Sequence, residues 1–266
     1  MTNIVYYSNC QFMGLNFFLN KTIKNLKSFH IINYQLIKEN KPIPINILQK
    51  ADIFIYQPIH KKHNIYSTDK TVKNNILKHL RPNCIKISYP YIYHSSLWIF
   101  LLPSFADGFI ANYSKINHYV NTEPITKLKN KGYSLDKVLQ LYRDGKIDFE
   151  FNTRYDISIK ILKEKESICD VKVSDFIEKN IRKRKLFFTQ NHPTTCVFIH
   201  CVNQILSILG YNVKYDANNF KENICDFVGE WPHTSYDNKF WNFQYKINNI
   251  NDEIYINHIK IIYNNY

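Results

Sequence analysis

The hydrophobic pattern at the start of the chain changes from a continuous run to a helical period at one cysteine. Residues 4–7 form a short apolar run, as buried strands do. Beyond Cys10, apolar side chains recur every three or four residues, at Phe12, Leu15, Leu19, Ile23 and Leu26. This spacing is typical of one helix face and predicts a helix over 12–26. Cys10 is therefore expected between the first strand and the first helix.

Strand and helix patterns go on alternating over the first third of the chain. Further apolar runs predict strands at 30–35, 51–56 and 84–88. Helices are predicted at 45–49 and 69–80. Such alternation favours an α/β fold with a doubly wound, mostly parallel sheet.

Strand signals fade in the middle of the chain. Helices are predicted there at 135–143, 155–166 and 174–181. We expect a single domain made of an N-terminal α/β half (1–104), a helical insertion or cap (105–182) and a returning C-terminal segment (183–266). In the last of these, patterns predict a strand at 185–188, a helix between Thr194 and Gly210, and a strand at 254–262.

Composition indicates a folded protein with free thiols. Of 266 residues, 45% are hydrophobic and 21% charged, which is ordinary for a globular chain. The six cysteines contain no CxxC pair. The most apolar stretch, 97–102, is too short to span a bilayer, and the N-terminus does not resemble a signal peptide, so we expect a cytoplasmic protein.

The net charge of +13 suits an anionic partner such as nucleic acid, an acidic lipid surface or a phosphorylated small molecule. Basic residues are spread along the chain apart from the run 182–185, which weakens the nucleic-acid interpretation. Arg184 in this run is a candidate phosphate ligand, and the alternative is a solvated charged face.

Cys10 is the candidate nucleophile. The free N–H groups and the dipole of a following helix would lower its pKa and favour the thiolate. The alternative is a buried core cysteine.

Polar side chains cluster where the predicted strands end, which is where α/β sheets bind ligands. The clusters contain Asn9, Cys10 and Gln11; Gln57; Ser88, Tyr89, Tyr93 and His94; and Gln190, Asn191 and His192. His192 is the preferred base for a cysteine or an incoming hydroxyl, and His94 is the second choice. Asn9, Gln11 and Asn191 are candidate oxyanion donors, although turn and cap bonds are the alternative for all three.

Two further patterns are weaker. The set His192, Cys196, His200 and Cys201 matches none of the strong zinc spacings, so no metal site is expected. The aromatic stretch 89–109 is predicted to form part of the core and a lid, and contact with a membrane surface or a lipid-linked glycan is the alternative.

Four segments resemble the WcbI family of capsular-polysaccharide biosynthesis proteins, which are regarded as coenzyme A-binding acetyltransferases. The segment Ser8-Asn9-Cys10-Gln11 is similar to the family's Gly-Asn-Cys-Gln, with Ser8 in place of the glycine. The others are 51–59, 87–93 and 186–194, in matching order and spacing over residues 1–210. We expect the α/β sheet of this chain to be Rossmann-like or SGNH-like.

The resemblance implies transfer of an acyl group, acetyl in the first instance, from coenzyme A to a sugar hydroxyl or amine of a glycan, with no nucleic-acid partner. It implies Cys10 and His192 as catalytic residues. Residues implied to bind the cofactor or position substrate are Ser8, Asn9, Gln11, Gln57, Tyr89, Tyr93, His94, Gln190, Asn191 and Arg184.

Several alternatives stay open at this point. Cys10 could carry the acyl group, or His192 could activate the acceptor for direct attack on the thioester. An SGNH-like esterase or deacetylase would use the same two residues with water as acceptor. A non-catalytic nucleotide or nucleic-acid binder would use only the basic surface.

Overall fold

The structure is a computed structural model that describes residues 1–100, 122–220 and 229–266. The chain forms two compact units. Unit 1 contains Met1–Ile92, Lys160–Glu178 and His192–Asp226. Unit 2 contains Tyr93–Ile159, Lys179–Asn191 and Phe227–Tyr266. The three-segment division of the domain stays a prediction.

Unit 1 is built on a parallel sheet. Its strands are β1 (Thr2–Ser8), β2 (Leu26–Ile32), β3 (Ile53–Tyr56) and β4 (Ile85–Ser88). They lie in the order β2-β1-β3-β4, and every pair is parallel. The α/β prediction with a mostly parallel sheet is confirmed, whereas a Rossmann-like or SGNH-like identity stays a prediction. Two short strands, β5 (Phe187–Thr189) and β6 (His192–Pro193), are not members of this sheet, so the strand predicted at 185–188 does not extend it.

Helices account for most of the remaining regular structure. They are α1 (Phe12–Thr22), α2 (Asn33–Lys38), α3 (Ile45–Leu48), α4 (Glu123–Asn130), α5 (Leu135–Arg143), α6 (Phe151–Glu166), α7 (Ser174–Asn180), α8 (Thr195–Ile208), α9 (Ser235–Trp241) and α10 (Asp252–Asn265). The prediction of α5 is confirmed, and the Ser134 hydroxyl caps it by accepting from the Lys137 N–H. The helix predicted after Thr194 is confirmed as α8.

Strand β1 lies between two neighbours, and its residues 4–8 are fully buried. Val5 and Tyr7 pack into a core with Phe54 of β3 and Leu48 of α3. Both faces of the strand are covered, which is why its sequence is a continuous apolar run rather than an alternating one.

Four predicted elements are wrong or displaced, namely the helix at 12–26, the strand at 30–35, the helix at 69–80 and the strand at 254–262. Helix α1 stops at Thr22 because Asn25 takes a left-handed conformation (φ 54°) and leads directly into β2, which therefore starts four residues before the predicted strand. The helix predicted at 69–80 is reduced to a 3₁₀ turn at Ile76–His79, because the Asn75 side chain bonds the Leu77 N–H instead of allowing a continuous helix.

The strand predicted at 254–262 is helix α10. Buried Tyr255, His258, Ile259 and Ile262 recur every three or four residues, and the Asn251 side chain caps the helix by accepting from the Ile254 N–H.

The aromatic stretch contributes to the core as far as the structure describes it. Between 89 and 100, Tyr89, Ile92, Leu97, Trp98, Ile99 and Phe100 are buried. Residues 101–109, which complete the predicted lid, and Cys225 lie outside the described residues. Among the helices of the described residues, none is both long and apolar enough to cross a membrane.

Candidate active site

Cys10 lies in the turn that connects β1 to α1, as predicted. The strand ends at Ser8, and the backbone N–H groups of Phe12 and Met13 bond the carbonyls of Asn9 and Cys10 at 3.3 and 3.1 Å. The thiol is therefore at the carboxyl end of an inner parallel strand, immediately before the helix. Its side chain is half-buried.

His192 meets this thiol within unit 1. The distance between Cys10 Sγ and His192 Nε2 is 3.6 Å. His192 lies three residues before the start of α8, and α8 packs closely on α1. At the contact, a Cβ on Gly14 would lie 2.4 Å from ring carbons of Phe198, so only glycine allows the observed approach. The pair predicted from separate ends of the chain is thus brought together.

A network of side-chain amides fixes the turn. Gln57, directly after β3, accepts from the Asn9 N–H at 3.1 Å and donates through Nε2 to Gln11 Oε1 at 3.0 Å. Gln11 in turn bonds both backbone groups of Ile92, at 2.7 and 3.2 Å. Gln11 and Gln57 are almost completely buried, so these bonds satisfy groups that would otherwise be costly to bury.

The network engages part of the predicted amide donors. The Gln11 amide nitrogen donates to Ile92 O at 2.7 Å, and a role of Gln11 as an oxyanion donor stays a prediction. Asn9 uses its Oδ1 to accept from the Gln11 N–H at 3.0 Å. Its Nδ2 has no hydrogen-bond partner within the described ranges of the chain, which leaves Asn9 as the side-chain donor beside Cys10.

Burial controls the protonation of the pair. It raises the pKa of Cys10, although the residue's own backbone N–H acts in the opposite direction. The predicted lowering of this pKa is therefore wrong, because desolvation of the thiolate outweighs the helix end. Burial lowers the pKa of His192. Both shifts favour a neutral thiol beside a neutral imidazole, which is a base ready to accept the thiol proton.

His30 is a site neighbour that the sequence prediction missed. Its Nε2 lies 3.1 Å from Ser8 O, and its ring stacks on Phe12 at a centroid distance of 3.6 Å. Burial lowers the pKa of His30, while the Ser8 and Asn9 carbonyls oppose the shift. The His30 ring therefore contacts Ser8 before the Cys10 turn and Phe12 after it. The feature that could have identified His30 is its position on β2, the strand beside β1, where it is in register with Tyr6.

Ser8 takes the place of the family glycine without backbone strain. It belongs to β1, is fully buried, and its hydroxyl donates to Asn9 O at 3.2 Å. Its φ is not among the positive values of the described residues, so no glycine is required there. The buried ring of Tyr89 places its hydroxyl near Ser8, and burial raises the pKa of Tyr89.

Predicted site residues in unit 2 contact one another or near neighbours within that unit. The Tyr93 hydroxyl donates to Gln190 Oε1 at 3.4 Å, and the His94 N–H donates to Gln190 O at 2.8 Å. Asn191 Oδ1 accepts from the Thr189 hydroxyl at 3.2 Å. Their roles toward substrate stay predictions.

His94 is a core histidine. It is fully buried, with Ser96 beside Nδ1 and the rings of Tyr155 and Phe187 at 5.6 Å. Burial, reinforced by the Arg154 charge, lowers its pKa to about 3. A sealed imidazole of this kind cannot exchange protons with a substrate, so its placement does not support the second choice of base.

The basic run is partly engaged by protein groups. Lys185 is buried and pairs with Glu230 at 2.9 Å, and Arg182 lies 5.4 Å from the Trp241 ring centroid. Arg184 is half-exposed. A phosphate contact at Arg184 stays a prediction.

The histidine and cysteine positions on α8 serve packing. His200 Nε2 lies 3.1 Å from Lys172 O, its ring stacks on Phe176, and Cys201 is fully buried. Across residues 1–100, 122–220 and 229–266, no three His, Cys, Asp or Glu side chains are grouped as metal ligands.

One solved structure shares the fold. It is described as WcbI, a novel polysaccharide biosynthesis enzyme, in a native form without the disulfide bond between coenzyme A and a cysteine of that protein. The match has a TM-score of 0.57 and 19% sequence identity, and covers 84% of this chain and 73% of that chain. A comparison with curated protein sequences gives no significant match.

The sequence itself matches a family model over most of its length. The model describes the polysaccharide biosynthesis enzyme WcbI and covers residues 3–214. This range includes β1, the Cys10 turn, Gln57 and His192. The chain therefore belongs to the WcbI family of polysaccharide biosynthesis enzymes.

Proposed function

We propose that this protein transfers an acyl group from coenzyme A to a sugar hydroxyl or amine during glycan synthesis, with Cys10 and His192 at the reacting centre. The observation that carries the proposal is the 3.6 Å distance between Cys10 Sγ and His192 Nε2 at the carboxyl end of β1. A nucleophile within reach of a neutral base is what thioester chemistry requires.

The residues present fit coenzyme A. Cys10 is half-buried rather than sealed, so a thioester can approach its sulfur. A net charge of +13 suits the coenzyme's phosphates. The related structure is described as a form without the disulfide bond between coenzyme A and a cysteine of that protein, and this wording supports a coenzyme sulfur near a cysteine in the family. When bound, acyl-coenzyme A supplies the acyl group in an activated form.

In the covalent route, Cys10 Sγ is the nucleophile. Its proton moves to His192 Nε2 as the sulfur attacks the acyl carbon, and Asn9 Nδ2 is the side-chain donor beside the developing oxyanion. The bond between the acyl carbon and the coenzyme sulfur then breaks, and His192 gives its proton to that leaving sulfur, so that the acyl group is held on Cys10 as a thioester and His192 is neutral again. His192 next removes the proton of the sugar hydroxyl as its oxygen attacks the acyl carbon, and returns this proton to Cys10 Sγ when the bond from the acyl carbon to that sulfur breaks.

In the direct route, His192 deprotonates the sugar hydroxyl and Cys10 only orients the imidazole. The two routes differ in their dependence on the thiol. Cys10→Ala abolishes turnover in the covalent route and only weakens it in the direct route.

Calorimetric titration with coenzyme A and with acetyl-coenzyme A tests the cofactor class. We expect saturable binding by the wild type and by Cys196→Ala, a control that removes another half-buried thiol. Intact-mass analysis of the acetyl-coenzyme A sample shows whether an acetyl group remains on the protein, and peptide mapping assigns it. An acetyl group on Cys10 selects the covalent route.

No binding of either ligand would contradict the proposal. The same residues would then fit an esterase, which would release free acetate from an acetylated sugar without coenzyme A.

A further inference from the structure

Unit 2 contains a cavity of about 540 Å³ between the end of α5, helix α9 and the start of α10. Its lining includes two cations, three aromatic rings, a carboxylate and a hydroxyl. These are Arg143 and Lys239, Tyr142, Tyr236 and Phe240, Asp252, and Ser235. The volume is sufficient for a small ligand such as a sugar.

The cavity carries available positive charge. Arg143 and Lys239 are exposed, and neither has an ion-pair or hydrogen-bond partner in the part of the chain that the structure describes. The acidic groups of the wall are already engaged. Asp144 pairs with Lys146 at 3.1 Å, and Asp252 accepts from the Tyr142 hydroxyl at 2.7 Å and from the Ser235 N–H at 3.2 Å. An anion entering the cavity would therefore meet unpaired cations.

The aromatic wall is held in place. The Tyr236 ring stacks on Tyr142 at 6.0 Å with an interplanar angle of 12°, and meets Phe149 edge-on at 5.1 Å. Phe240 is 38% exposed although its ring also contacts Phe151 at 4.5 Å. A fixed aromatic surface suits the apolar C–H face of a sugar ring, and binding to it costs little side-chain entropy.

Much of this wall lies beyond the family match. Helices α9 and α10 begin at Ser235 and Asp252, whereas the family model ends at residue 214. The C-terminal part of the chain thus supplies the walls formed by α9 and α10, whereas the wall at the end of α5 lies within the match.

We infer that this cavity binds an anionic saccharide, meaning a sugar ring that carries a carboxylate or a phosphate. Arg143 and Lys239 take the anion, the rings of Tyr236 and Phe240 take the apolar face of the sugar, and Ser235 supplies a hydroxyl. The inference rests on membership of a polysaccharide biosynthesis family and on this geometry. It does not depend on the chemistry proposed for Cys10.

Ligand-observed NMR titration tests the inference with four probes: glucuronic acid, glucose 1-phosphate, glucose and inorganic phosphate. We expect glucuronic acid, glucose 1-phosphate or both to bind at least about tenfold more tightly than glucose and than inorganic phosphate, because neither of those two combines a sugar ring with an anionic group. The anionic sugar that binds more tightly shows whether the cavity prefers a carboxylate or a phosphate. Equal binding of inorganic phosphate or of glucose overturns the inference.

Variants locate the binding. The double variant Arg143→Gln and Lys239→Gln should bind the anionic sugars at least about tenfold more weakly than the wild type. The control variant Lys62→Gln and Lys73→Gln removes two exposed charges from unit 1 and should bind them with unchanged affinity. Ile256→Trp fills the cavity without changing charge and should also abolish binding while thermal unfolding remains cooperative. Unchanged affinity in the double cavity variant places the sugar elsewhere and overturns the inference. Calorimetric titration with coenzyme A tests the proposed function independently of this inference.

Discussion

The surroundings of His192 in unit 1 and of His94 in unit 2 show how context separates two histidines that looked alike in the sequence. Each lies near a proline in a cluster predicted at a strand end. His192 is half-buried with Cys10 Sγ at 3.6 Å, whereas His94 is sealed among aromatic rings. Burial lowers both pKa values, but only His192 has a thiol beside it and stays partly exposed. Partial burial beside a nucleophile therefore distinguishes a candidate base from a core residue.

The largest expected effect is that of His192→Asn on activity. Loss of the base should lower coenzyme A release from acetyl-coenzyme A in the presence of an oligosaccharide acceptor by about 10²–10⁴-fold. Release is followed by a thiol-specific dye, with His79→Asn as a matched histidine control. Activity within about twofold of wild type would remove His192 from the reacting centre.

The next effect concerns His94 and acid stability. Because its folded pKa of about 3 is below that of the unfolded chain, the unfolded state binds more protons as the pH falls from about 6.5. The free energy of unfolding should fall by about 1.4 kcal/mol per pH unit from this residue over that range. Its contribution is complete above about pH 6.5. His258, with a pKa lowered by burial to about 4, adds to the slope.

Urea titrations between about pH 4.5 and 7 measure this slope. His94→Asn should flatten it, and His192→Asn should change it less because His192 is only half-buried. An unchanged slope in His94→Asn would contradict the burial account.

A smaller effect is expected where Gln57 supports the Cys10 turn. Gln57→Leu leaves the Asn9 N–H and Gln11 Oε1 without this partner, which should cost about 1–3 kcal/mol of stability. As a positioning residue, Gln57 should affect kcat more than KM for acetyl-coenzyme A. Gln49→Leu, at an exposed position, is the control. If Gln57→Leu and Gln49→Leu lost the same stability and the same kcat, the amide network would have no role in the turn.

The contact between α1 and α8 gives a further test of how His192 reaches Cys10. Gly14→Ala forces a Cβ against the Phe198 ring and should destabilise the protein by about 1–3 kcal/mol. Asn20→Ala on the exposed face of α1 is the control. Thermal unfolding measures both, and a stable Gly14→Ala variant with normal activity would show that the close contact is not needed.

Local signals made part of this architecture predictable. The change from an apolar run to a helical period located Cys10, and Ser134 and Thr194 marked the starts of α5 and α8. Parallel strands end at one edge, so Gln57 could be placed near Cys10 before the structure was known.

What failed depends on tertiary surroundings or on a single turn. The pKa of Cys10 rises because of burial, which a helix-end argument does not include. Because of the left-handed turn at Asn25, β2 starts at Leu26, four residues earlier than predicted. His30 is therefore near the carboxyl end of β2, whereas the prediction placed it at the start of the strand. The bond from the Gln11 amide nitrogen to Ile92 O joins residues 81 positions apart, so no local pattern indicates it. The apolar residues of α10 fit a strand as a short run, and only their burial every three or four residues identifies the helix.

The most direct test of the central claim is whether coenzyme A protects Cys10 from iodoacetamide. Alkylation is followed by peptide mass mapping at about pH 8.5, with Cys196 of the same sample as internal reference. We predict that saturating coenzyme A slows alkylation of Cys10 at least about tenfold and leaves Cys196 unchanged. Equal rates at Cys10 with and without coenzyme A would contradict the proposal that this thiol faces the coenzyme.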